Sequence, residues 1–68
     1  MVLLNPVRFL RRLERMKREA LEEAQMLRRR HGDAAQEAAR TKLQRTDLTT
    51  WHRQVVERAA RLLAAGDV

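Results

Sequence analysis

The chain has 68 residues, 44% apolar and 35% charged, with no cysteine, no serine and a formal net charge of +6. That composition excludes a disulfide framework, a thiolate metal site and a Ser or Cys nucleophile, and allows one domain near the lower size limit for an adequate core. Only 3% aromatic residues, one proline and two glycines argue against a β architecture.

Asn5-Pro6 is a helix-opening pair. Asn5 is a good N-cap, and Pro6 at the first helical position gives up an N–H that would be unpaired anyway. Leu4 and Phe9 occupy the two positions of a hydrophobic staple. From Pro6 to about Arg30 nothing breaks the helix. Its apolar stripe runs Phe9, Leu13, Met16, Ala20, Ala24, Leu27, spaced by threes and fours, with Leu10 beside it. Leu21 and Met26 lie off that stripe and widen the apolar surface.

His31-Gly32-Asp33 is the strongest punctuation in the chain. Gly32 can take the left-handed conformation that ends a helix, and Asp33 can cap the next one. With Gln36, the run Asp33-Ala34-Ala35-Gln36 has the form of a capping-box variant. A second helix is expected from about 34 to 45, with Ala34, Ala35, Ala38, Ala39 and Leu43 forming a smooth face for close approach. Thr46-Asp47-Leu48-Thr49-Thr50 favours caps over helix interior, and the apolar phase shifts there. Asp47 is the preferred N-cap of a third helix over about 48–65, with the stripe Leu48, Trp51, Val55, Ala59, Leu62 and a C-cap near Gly66. The fold class is therefore all-α: a small helical bundle with helices about 6–30, 34–45 and 48–65. A bent helical hairpin, in which 34–65 does not break, is the alternative. Residues 1–68 read as a single helical domain, with 1–5 as an N-terminal arm.

Arg8, Arg11, Arg12, Arg15, Lys17 and Arg18 crowd the first half of the first helix, where cations oppose the macrodipole and repel at i,i+4. Glu14–Arg18, Arg15–Glu19 and Arg18–Glu22 have the spacing to answer this charge, which then forms a solvated face. The other reading is an anion or nucleic-acid patch of Arg8, Arg11, Arg12, Arg15 and Arg18, or a surface for an acidic protein partner. No helix-turn-helix spacing with base-reading side chains and no aromatic RNA-binding signature accompanies it. Arg28-Arg29-Arg30 complements the dipole at the end of the same helix.

Met1-Val2-Leu3-Leu4 with Val7, Phe9 and Leu10 has the look of an interfacial segment. Covering one end of the bundle, or meeting a second subunit, is the preferred reading, and attachment to a membrane ranks last. Met1–Leu4 is too short for a signal-peptide core and no apolar run reaches the length of a membrane span, so a cytoplasmic location is expected.

Trp51, the single tryptophan, is expected to be the core anchor, filling space against Leu43 and part of the first helix. His31 and His52 lack companions at metal-ligand spacing, and Glu22-Glu23 reads as surface charge. No catalytic, cofactor or metal residues are assigned, and the chain reads as a non-enzyme. Leu10, Leu21, Met26 and Val56 fall outside the main stripes and are the candidate self-association residues of a homodimer.

The span from Arg30-His31-Gly32-Asp33 through Trp51-His52-Arg53-Gln54-Val55-Val56 to Leu62-Leu63 resembles a group of short, uncharacterised alphaproteobacterial proteins. These share a long helix, a His/Tyr-Gly-Asp turn, an alanine-rich segment and a Trp-x-x-Val/Ile helix. Many carry Gly-Asp before the tryptophan helix, where this chain has Thr46-Asp47. The resemblance implies a bacterial, cytoplasmic, helical protein and brings no activity with it.

Overall fold

The computed structural model describes residues 6–68 and contains three α-helices with no strand among those residues: α1 (Pro6–His31), α2 (Ala35–Leu43) and α3 (Thr50–Ala65). The Asn5 cap, Leu4 of the staple and the Met1–Leu4 segment lie outside the described residues.

Gly32 turns the chain with φ +56°, the left-handed value that glycine adopts without a Cβ penalty. Arg28 reinforces the same helix end, its Nη1 donating to the Gly32 carbonyl at 2.9 Å. Asp33 does not act as the expected cap. A single 3-10 turn over Gly32–Ala34 leads directly into α2, whose N-cap is Ala34 with no side-chain hydrogen bond. The turn runs almost without interruption between the two helices, so there is no extended cap residue from which an Asp33 carboxylate could reach the free N–H groups.

α2 is shorter than the expected 34–45 and α3 begins later than 48. Residues 44–49 break the helix, so there are three α-helices among the described residues and 34–65 is not one bent rod. The N-cap of α3 is Thr49, not Asp47: Thr49 has extended backbone and its Oγ1 accepts from the His52 N–H at 3.0 Å. Asp47 instead receives two hydrogen bonds from the Arg45 guanidinium, at 2.7 and 3.0 Å. A charged neighbour two residues away outcompetes helix N–H groups still further along the chain. Arg53 fastens this loop from α3, donating to the carbonyls of Leu43 at 2.8 Å and Arg45 at 2.9 Å. Gly66, with φ +76°, closes α3 as a left-handed C-cap.

Side-chain pairings give the helix directions. Lys42 of α2 meets Glu23 of α1, which makes the pair antiparallel about the Gly32 turn. Trp51 meets Glu19, and the Val68 carbonyl accepts from Arg28, so α3 runs in the same sense as α1. The core is a seam of small and branched residues: Ala24 and Leu27 of α1, Ala35 and Ala39 of α2, and Val56, Ala59 and Leu63 of α3. The four alanines are all fully buried. Without bulk beyond Cβ they let the three backbones approach closely, and packing density replaces buried area per residue. Of the expected first-helix stripe, Met16, Ala20, Ala24 and Leu27 are buried, but Phe9 is exposed and Leu13 is half-buried. Ala34 is exposed as well, because it belongs to the turn and not to the face of α2.

Candidate functional site

Two features of α1 lie outside the core: a basic face joined to Trp51, and an apolar surface that neither α2 nor α3 covers.

Trp51, in the second residue of α3, sits on the rim of the bundle and not in its centre. It is half-buried, and Val56 is the largest side chain with complete burial. The reason is polar. The indole N–H donates to Glu19 Oε1 at 3.1 Å, and the Arg12 and Arg15 guanidinium carbons stand 5.3 and 5.4 Å from the ring centroid. A tryptophan drawn deeper would lose both its hydrogen-bond partner and the cations that stack on its faces. Arg15 also pairs with Glu19 at 2.8 Å, so the carboxylate receives two donors. The Trp51 hydrogen bond, and after it that from Arg15, holds the Glu19 carboxyl below its ordinary value.

The five arginines of the sequence-derived patch are all exposed. Helical spacing sets Arg8, Arg11 and Arg18 along the solvent face opposite the core, while Arg12 and Arg15 turn toward Trp51. The first turn of α1 contains no acidic residue. Of the three anticipated intrahelical pairs, Arg15–Glu19 forms; Glu14–Arg18 and Arg18–Glu22 do not form among the described residues.

The self-association candidates divide in two. Leu10 is 54% and Leu21 41% exposed, with Val7 and Phe9 also open to solvent. Val56 is not on the surface: it is 0% exposed, in the centre of the three-helix seam, and belongs to the core. Met26 is half-buried and packs against that core from the α2 side, away from Leu10 and Leu21. The helical face of α3 is wider than the spacing of its first stripe suggested, because α2 and α1 pack on it from two directions.

Glu23 is a residue that sequence reasoning passed over as ordinary surface charge. Its side chain is 10% exposed, and it receives Lys42 Nζ at 2.7 Å with His52 Nε2 at 3.9 Å from its other oxygen. Glu23 and Lys42 lie at nearly equal distances from the Gly32 turn, so the hairpin register was the signal that could have paired them. Arg53 had no such signal, since its acceptors are loop carbonyls. No group of three potential metal ligands occurs among the described residues. The grooves between the helices are open and bordered by long charged side chains, with Arg12, Arg58 and Arg61 around the one that Phe9, Leu13, Met16 and Trp51 line.

Comparison of the chain with protein-family models, with curated proteins and with solved structures finds no match in any of the three.

Proposed function

We propose that this chain is a small helical interaction module that self-associates as a homodimer. The observation carrying this reading is the exposure of Leu10 and Leu21 on α1, with Val7 and Phe9 nearby. α1 has 26 residues, about 39 Å at 1.5 Å each, against 16 residues in α3. Its first turns therefore extend past the helix that would shelter them. In a domain this small, apolar side chains left in water are more economically buried against a second molecule than by further folding. A binding role, not catalysis, fits the open grooves and the absence of serine and cysteine. The reading also takes the protein as bacterial and cytoplasmic, in keeping with the resemblance and the cysteine-free chain. No helix among the described residues is long and apolar enough to cross a membrane.

Sedimentation velocity or light scattering over a range of concentrations up to tens of micromolar tests the proposal. Twice the chain mass at the upper end is the expected result; a single-chain mass throughout removes it.

Electrostatic binding of nucleic acid is the second reading, favoured by the exposed Arg8, Arg11 and Arg18 on one face of α1. Titration of DNA and RNA at several salt concentrations should then give a steep salt slope. The slope should flatten when Arg8, Arg11, Arg12 and Arg15 become glutamine. Lack of association at low salt eliminates this reading.

A further inference from the structure

Resting on the self-association reading, we infer that the occupant of the open face of α1 is a second copy of α1 laid antiparallel, in a register set by Glu14 and Lys17. Leu10, Glu14, Lys17 and Leu21 follow one another at spacings of four, three and four residues, the a/d rhythm of a two-stranded helical seam. All four are exposed. The Lys17–Leu21 half of the seam is bordered by Ala20 and, from α3, by Leu62 and the stems of Arg58 and Arg61, which give a helix placed there an apolar floor.

Charge complementarity selects the occupant and its direction. Leu10 and Leu21 are equidistant from the midpoint of this segment, and so are Glu14 and Lys17. An antiparallel copy centred on that midpoint sets Leu10 against the partner's Leu21 and Glu14 against the partner's Lys17, each twice by the two-fold axis. A parallel copy in register would oppose Glu14 to Glu14 and Lys17 to Lys17. Neither residue forms an ion pair within the described part of its own chain, so both are available across the seam. The rest of the helix is segregated in the same sense. Residues 6–18 contain five Arg, one Lys and one Glu, whereas 19–27 contain three Glu and no cation. Antiparallel pairing brings the basic segment of each copy beside the acidic segment of the other, and opposes the two helix dipoles favourably. A charged pair at the centre of a short apolar seam weakens it relative to leucine, and in exchange specifies its register.

The test is a charge exchange in the full chain, with mass read by sedimentation at several concentrations and helix content checked by circular dichroism. Glu14→Lys and Lys17→Glu should each raise the dimer dissociation constant about tenfold or more, because each makes the central layers like-charged. An equimolar mixture of the two variants should recover the wild-type constant, since every central layer again pairs Lys with Glu. Cysteine reporters in this cysteine-free chain supply the direction: Leu10→Cys mixed with Leu21→Cys should cross-link to a heterodimer, and Leu10→Cys alone should not cross-link. A wild-type dimer that ignores the charge exchanges, or that cross-links Leu10→Cys to itself, overturns the antiparallel register while leaving self-association standing. A wild-type monomer overturns both.

Discussion

Val56→Ala separates the two roles that this residue has been assigned, interface and core. Val56 is fully buried among Ala24, Leu27, Ala35, Ala39, Ala59 and Leu63. The substitution removes the equivalent of two methylene groups, about 1.6 kcal/mol of transfer free energy at 0.8 kcal/mol each. The surrounding alanines have no side-chain freedom with which to fill the gap. A residual cavity of roughly 40–50 Å³ adds about 1 kcal/mol at 24 cal/mol per Å³. The total, about 2–3 kcal/mol, is a large fraction of the stability of a domain of this size. At about 4–8 °C per kcal/mol, the melting temperature should fall by roughly 10–20 °C. The measurement is thermal unfolding by circular dichroism at low micromolar concentration. Leu10→Ala serves as the comparison: its side chain is 54% exposed, so in dilute solution its melt should stay within a few degrees of wild type. A Val56→Ala protein that melts normally but loses its dimer would return Val56 to the surface and refute the core described above.

Thr49→Ala should cost about 1 kcal/mol by removing the α3 cap, whereas Asp47→Ala should leave the melting temperature close to wild type; the reverse order in denaturant melts would restore Asp47 as the cap. Trp51→Ala should cost about 2 kcal/mol, below the roughly 3–5 typical of a fully buried tryptophan, because the ring is only half inside. A urea midpoint shift in the upper range would show that the ring is a true core anchor. Glu19, held below its ordinary value of 4.5 by Trp51 and Arg15, stabilises the fold above that value. This contribution is lost as pH falls through the depressed folded-state pKa. The melting-temperature gap between wild type and Glu19→Gln should therefore be widest near neutral pH and narrow as pH falls below 4.5; a gap independent of pH would refute the assignment.

Much of the architecture was legible in local chemistry. Gly32 and Gly66 end helices because a left-handed residue there is least costly without a Cβ, and both do so. The alternation of apolar residues by threes and fours predicts the buried Met16, Ala20, Ala24 and Leu27 correctly, because helix period and core contact coincide in the middle of α1. The same period misassigns Phe9, since periodicity describes which face is apolar and not how far a neighbouring helix extends along it. At the second turn, composition indicated that residues 46–50 would resist helix formation, whereas the break observed covers 44–49. It favoured Asp47 over Thr49 as the cap, and wrongly, since the outcome depended on the position of Arg45 after the chain had turned.

The amino-acid order alone determined an all-α chain and the hinge at Gly32, because propensity, capping chemistry and backbone freedom act over a few residues; that 34–65 breaks into two helices was decided by the structure. Tertiary packing decided that Val56 is interior, that Trp51 is retained at the rim by Glu19 and two arginines, and that Glu23 is shielded beside Lys42. Those outcomes depend on how helices distant in sequence cross and on which donors then stand near which acceptors. That information exists only once α2 and α3 have closed on α1.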